Sequence, residues 1–283
     1  MIFTCIGGDR RQLEVANYLM SQNHKVSVIG LPDYNNNIHF SNVSEAILLS
    51  DAVILPLPVT FDSETVNVKL TDKIIYLKDI IQYKPKCLFG GIISNQLKNE
   101  LIYNGIKHYD YYKSEPLTVK NAVLTAESAV AIAINCTDIS IFNSKSLVIG
   151  YGRIGKIVAK YLKTLGSEVT ATSRNEGVLA HIEADLLTAV NTNNIADCAG
   201  DFDFIFNTAP FPVMNRNFFK NCKKTVFVED LATDSGTDFS SAAYYGINAA
   251  IYSGLPGKYS PKTAGHYIGE EILSKMIGGS NEK

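Results

Sequence analysis

A short apolar run, Ser146-Leu147-Val148-Ile149, passes directly into Gly150-Tyr151-Gly152-Arg153-Ile154-Gly155, and a strongly periodic segment follows. Ile154, Ile157, Val158, Tyr161, Leu162 and Leu165 stand at i, i+3, i+4, i+7, i+8 and i+11, which predicts an amphipathic helix ending at Gly166. Glu168–Thr172 then reads as a second strand at the distance a strand-helix-strand unit requires. A glycine-rich turn by itself says little, but between these flanks each glycine has a task. Gly150 permits the tight turn, Gly152 lets backbone amides approach a pyrophosphate, and Gly155 lets helix and strand touch. The helix N-terminus offers unpaired N–H groups and a positive dipole end to phosphate. All six residues, from Gly150 through Tyr151, Gly152, Arg153 and Ile154 to Gly155, are therefore expected to bind a dinucleotide.

The end of the second strand bears on which dinucleotide it is. NAD sites usually carry an acidic residue there to grip the ribose hydroxyls. Here Ser173, Arg174 and Asn175 follow Thr172 with no carboxylate, and Arg174 suits a 2′-phosphate, so NADP(H) is the expected cofactor. Asn207, Thr208, Ala209 and Pro210 end a later strand, and Asp230 ends the next. Both belong at the carboxyl edge of the sheet, where the nicotinamide half of the cofactor lies; the plain alternative is that both are only strand-ending turns.

At 283 residues the chain is long enough for two domains. Before the glycine turn, Ile2–Ile6, Lys25–Ile29, Asp51–Leu55 and Cys87–Phe89 read as strands, and a helix carries Leu13, Ala16, Leu19 and Met20 on one face. Pro56 and Pro58 stop the third strand. Ala122, Ala126, Ala129, Val130, Ala133 and Ile134 form a small-residue stripe on a helix from Asn121 to about Asn135, where the domain boundary is expected. Later strands are expected at Phe204–Asn207, Val226–Glu229 and Ala249–Ile251, and a last helix near Thr263, after Pro261. The pattern predicts an α/β chain of two doubly wound parallel-sheet domains joined by long helices. A flavodoxin- or Rossmann-like substrate-side domain spans residues 1–120 and is completed by the helix at 263–278; the NADP-binding Rossmann domain spans 121–262.

Substrate-side chemistry is expected at two anion-binding segments. Gly8, Asp9 and Arg10 lie at the first strand-to-helix turn, and Lys258 and Thr263 lie around the start of the last helix. Glu127, in the polar stretch Thr125-Ala126-Glu127-Ser128, and Lys262 are the candidate catalytic bases. An ion pair is the plain alternative for Glu127.

Other classes find little support. The net charge of −2 gives no long-range attraction to nucleic acid. Five widely spaced cysteines and five histidines, His39 among them, show no metal-ligand spacing and fit reduced thiols in a cytoplasmic protein. The N-terminus has no signal-peptide pattern, no run approaches the ~18 consecutive apolar residues of a membrane span, and the tail from Gly278 to Lys283 reads as unstructured.

Taken together, these motifs resemble the family of dipicolinate synthase A subunits of endospore-forming bacteria. The resemblance runs through Gly7-Gly8-Asp9-Arg10-Arg11-Gln12-Leu13-Glu14-Val15, Thr125–Ala129, the glycine turn, Asn207–Pro210, Asp230–Ala232 and Gly236–Phe239. It closes with Gly254-Leu255-Pro256-Gly257 and Pro261-Lys262-Thr263-Ala264-Gly265. It implies NADP-dependent oxidation of a dihydrodipicolinate from the lysine pathway to dipicolinate, in the mother-cell cytoplasm during sporulation, with a flavoprotein-like second subunit. The loop Asp230–Gly236, with Thr233 and Asp234, departs from the family pattern. Another dehydrogenase of a small carboxylic acid, of 2-hydroxyacid or shikimate type, remains open, as do a homo-oligomer and a non-catalytic NADP-binding subunit.

Overall fold

The computed structural model describes residues 1–32, 38, 40, 42–232 and 235–278; His39, the Thr233-Asp234 step and the tail beyond Gly278 lie outside the described residues. The chain divides into two compact units, 1–120 with 257–283, and 121–256.

In the first unit, β1 (Ile2–Ile6), α1 (Arg10–Ser21), β2 (Lys25–Ile29), α2 (Val43–Leu49), β3 (Ala52–Ile54), α3 (Leu77–Ile81), β4 (Cys87–Gly90), α4 (Asn95–Tyr103) and β5 (Lys107–Asp110) alternate along the chain. Among the described residues the sheet has five parallel strands in the order β2-β1-β3-β4-β5. One face packs Phe3 and Cys5 against Val15 and Leu19 of α1 and against Ile268 and Ile272 of the final helix, α12 (Pro261–Gly278). The other packs Val53 and Leu88 against Ile47, Ile80 and Leu97 of α2, α3 and α4.

The long helix α5 (Glu115–Asn135) carries the chain into the second unit. There β6 (Lys145–Ile149), α6 (Arg153–Thr164), β7 (Glu168–Ser173), α7 (Glu176–Ala184), β8 (Thr188–Asn191), α8 (Ile195–Cys198), β9 (Phe204–Asn207), α9 (Arg216–Asn221), β10 (Phe227–Asp230), α10 (Phe239–Tyr244), β11 (Asn248–Ile251) and α11 (Leu255–Tyr259) follow. The strand order is β11-β10-β9-β6-β7-β8, all parallel. Phe204 and Phe206 face Ala126, Ala129, Val158 and Leu162 of α5 and α6, while Leu147 and Ile149 face Ile195, Phe218, Phe219 and Ala242 of α8–α10. Both units are thus doubly wound α/β domains, and in the second the strand order reverses between β6 and β9, where such folds open a crevice.

Several expectations change in detail. Helix α5 begins at Glu115, not Asn121, because Pro116 sits in its first turn, where no N–H is missed. Ile134 is exposed, while Leu124 and Ile132 are buried. By length and composition α5 is the one helix among the described residues that could cross a membrane. Counting uninterrupted apolar runs passes over it, since Thr125, Glu127 and Ser128 interrupt it; its residues Ala126, Ala129, Val130, Ile132 and Ala133 form core packing. The chain re-enters the first unit at Gly257, six residues before Thr263, through the short turn α11.

Two glycines on α12 let it approach α1 closely. A Cβ on Gly265 would strike the Glu14 Cβ and stand 2.6 Å from the Arg11 carbonyl, and one on Gly269 would strike the Tyr18 ring. Gly265→Leu is therefore expected to cost about 1–3 kcal/mol through overpacking, seen as a lower urea midpoint for the transition of the first unit.

Candidate functional site

A cleft of ≈ 530 Å³ opens above the strand reversal of the second unit, lined by Gly150 to Gly152 of the glycine turn and by Ser173, Arg174, Asn175, Val178, Thr192 and Thr208 to Phe211. The turn's geometry follows from its sequence. Gly150 has φ +90°, and a Cβ there would come within 2.8 Å of the Thr208 hydroxyl. A Cβ on Gly155 would collide with the Gly150 carbonyl, so α6 rests directly on the end of β6. Gly152 is different. It has an ordinary φ of −84° and open space where a side chain would be. It also provides no side-chain cap to α6. Asp9, Asn42, Ser94 and Asn175 each cap their own helices. The residues present fit a pyrophosphate. Tyr151 contributes backbone only, because its ring is buried and its hydroxyl donates to Asp185 at 2.7 Å.

At the end of β7 the Ser173 hydroxyl accepts from the Asn175 amide at 3.0 Å, and the Asn175 side chain accepts from the Val178 amide at 3.1 Å. These two polar groups shape the turn. Arg174 is exposed and lies over the Phe211 ring, its guanidinium carbon 3.7 Å from the ring centroid.

The ends of β9 and β10 are organised inward. Asn207 is fully buried; its amide nitrogen donates to Asp230 at 3.1 Å and its oxygen accepts from the Ala209 amide at 3.1 Å. The Thr208 hydroxyl donates to the Ile149 carbonyl at 3.0 Å. Asp230 is also fully buried and accepts from Asn207, the Ala232 amide, and the Ser235 and Thr237 hydroxyls. Asn207 and Asp230 both spend their side-chain polar atoms holding the rim of the cleft. Sequence reasoning misses Phe211, Val178 and Thr192, although Phe211 directly follows Pro210. It also passes over Glu229, which is fully buried with no hydrogen-bond partner for either carboxyl oxygen among the described residues. Burial pushes its carboxyl up to about 9.

In the first unit Gly8, Asp9 and Gly257 come together. The Gly8 amide donates to the Asn67 carbonyl at 2.7 Å, and Asp9 caps α1 by accepting from the Arg11 amide at 3.0 Å. The buried Arg11 guanidinium donates to Asp9 at 2.8 Å and to the Leu57 carbonyl at 2.7 Å. Burial works to raise the Asp9 carboxyl, but the hydrogen bond and charge of Arg11 hold it below its usual value. The anion at this helix end is thus the chain's own Asp9 carboxylate. A Cβ on Gly257 would stand 2.9 Å from both Arg11 Nε and Asp9 Oδ2, so the two anion-binding segments lie side by side. Arg10, Lys258, Lys262 and Thr263 are exposed around this contact. In the second unit Glu127 is exposed on α5, and its charge helps raise the Tyr161 hydroxyl, after burial.

This arrangement has known counterparts. Residues 2–112 match the model of the N-terminal domain of the dipicolinate synthase A subunit. The chain is 29% identical to the A subunit of dipicolinate synthase from Bacillus subtilis strain 168 over 280 residues, 96% of this chain and 94% of the relative. The crystal structure of the dipicolinate synthase A subunit from Bacillus halodurans superposes with a TM-score of 0.88 at 29% identity, covering 98% of this chain and 97% of that one. Along nearly its whole length the chain is similar to dipicolinate synthase A subunits. The structure of the Bacillus subtilis dipicolinate synthase A chain agrees, with a TM-score of 0.85 at 28% identity, covering 99% of this chain and 96% of that one. Residues 132–228 also match the NAD-binding domain of D-isomer specific 2-hydroxyacid dehydrogenases. The glycine turn therefore sits in a nicotinamide-dinucleotide-binding domain of dehydrogenase type.

Glu229 gives the chain a pH-dependent stability. Folded, it keeps a proton that the unfolded chain releases above 4.5, its ordinary value. Its contribution is fully present below that pH and is lost as pH rises toward 9. Glu229→Gln, compared with wild type by thermal melts from about pH 5 to about pH 9, is expected to show a flatter Tm profile.

Proposed function

We propose that the chain is the A subunit of a dipicolinate synthase, oxidising a dihydrodipicolinate-type dicarboxylate to dipicolinate with NADP⁺. It acts in the mother-cell cytoplasm of a sporulating bacterium beside a flavoprotein-like second subunit. One observation carries the cofactor reading: an uncapped α6 N-terminus at Gly152 shares its cleft with a β7 end bearing Arg174 and no carboxylate. The substrate reading is supported by the similarity to dipicolinate synthase A subunits and by the exposed cations Arg10 and Lys258, with the Thr263 hydroxyl, around the Gly257 contact.

The α6 amides from Gly152 to Ile154 take the pyrophosphate, Arg174 pairs with the 2′-phosphate, and Thr208 to Pro210 bound the far wall. A bound NADP⁺ supplies the hydride acceptor. Aromatisation of the ring provides much of the driving force, so the protein's share is orientation and the removal of one proton. Glu127 and Lys262 are the groups assigned to that proton.

Gly152→Ala meets no atom within 4 Å and keeps its φ, so it is expected to fold normally while weakening NADPH binding at least tenfold (about 1.4 kcal/mol). Calorimetric titration alongside circular dichroism checks both halves; unchanged affinity would remove the pyrophosphate from this turn. Arg174→Asp should cost NADPH affinity and spare NADH.

Turnover is tested with freshly generated dihydrodipicolinate and NADP⁺, with and without the second subunit, reading NADPH and dipicolinate. Glu127→Gln or Lys262→Met, whichever removes the working base, should lower kcat about 10²–10⁴-fold and leave the cofactor Kd unchanged. Absence of product in the complete mixture would overturn the proposed reaction.

A further inference from the structure

We infer that Phe211 is the positioning residue for cofactor choice: its ring holds the Arg174 guanidinium at the cleft and so sets the preference for a 2′-phosphorylated ribose. The inference rests on the NADP(H) reading and extends it to a residue outside the phosphate-binding turn.

Arg174 leaves the end of β7 on a backbone already fixed by Ser173 and Asn175. Its side chain is long and exposed, and an arginine free to wander loses much rotamer entropy when it grips an anion. The Phe211 ring removes part of that cost beforehand. With its central carbon 3.7 Å from the ring centroid, the guanidinium is in contact with the face of the ring. Stacking through one face leaves the N–H donors, which lie in the guanidinium plane, available to phosphate oxygens.

Phe211 is itself held from the far side. A Cβ on Gly236 would collide with the Phe211 carbonyl, so the two backbones are pressed together. The Val213 amide donates to the Gly236 carbonyl at 3.3 Å, and the Asp238 amide donates to the Met214 carbonyl at 2.9 Å. On either side of Gly236, the Ser235 and Thr237 hydroxyls donate to the buried Asp230 carboxylate. A rigid connection therefore runs from Asp230, at the end of β10, through Gly236 to Phe211 and Arg174, at the end of β7.

The test measures Kd for NADPH and NADH by fluorescence of the reduced cofactors, in wild type, Arg174→Ala, Phe211→Ala, Phe211→Leu, Phe211→Tyr and the double variant Arg174→Ala/Phe211→Ala. Phe211→Ala and Phe211→Leu are expected to weaken NADPH about three- to tenfold and leave NADH within about twofold, while Phe211→Tyr retains wild-type preference. In the Arg174→Ala background the Phe211 change should add nothing, since its effect passes through Arg174. Phe211→Leu keeps the apolar bulk and carries the measurement if Phe211→Ala does not fold. Equal weakening of both cofactors, or additive losses in the double variant, would overturn the positioning role while leaving the NADP(H) reading intact. A wild type that binds NADH as tightly as NADPH, unaffected by Arg174→Ala, would overturn both.

Discussion

The site depends on one contact without a side chain: the start of α6 pressed onto the end of β6, where any Cβ on Gly155 would collide with the Gly150 carbonyl. That approach aims the first amides of α6 at the crevice above the strand reversal and fixes where Gly152 stands. Thr208 locks the same corner from β9 by donating to the Ile149 carbonyl. A phosphate-binding end built from backbone alone costs no side-chain entropy when a ligand arrives, and its dipole is already oriented.

Around this corner the buried polar groups act as fasteners. Asn207 and Asp230, both without solvent access, bond to each other and close the ends of β9 and β10 into one rim. In the first unit the Asp9–Arg11 pair does similar work, joining the α1 cap to the Leu57 carbonyl and abutting Gly257. Such groups resemble ligands when read as letters, because the residue types that hold loops by hydrogen bonds also hold substrates.

That ambiguity explains what was legible in the sequence. The glycine turn, the α6 stripe and Gly166 just past the helix C-cap were readable because local geometry dictates their residue types: Gly150 and Gly166 have φ of +90° and +87°. The two doubly wound sheets follow from strand and helix alternation. The edge strands β5 and β8 were not readable, since Lys107–Asp110 and Thr188–Asn191 are partly exposed and carry polar residues. The short helices α8 to α10 hold too few turns for a period to show. The inward roles of Asn207, Asp230 and Asp9, and the stacking of Phe211 on Arg174, depend on partners distant in sequence that no local pattern specifies.

The return of the chain at Gly257 has a consequence for biosynthesis. The first unit is interrupted in sequence: its sheet is encoded before residue 121, yet Ile268, Ile272 and Leu273, which share a core with Val15 and Leu19, come last. The second unit is continuous and can close as soon as it leaves the ribosome. The first must wait, with one apolar face of its sheet and α1 uncovered, until translation reaches α12. The order of completion therefore reverses the order of synthesis, and the nascent chain holds a finished dinucleotide-binding unit before the first unit's core is closed.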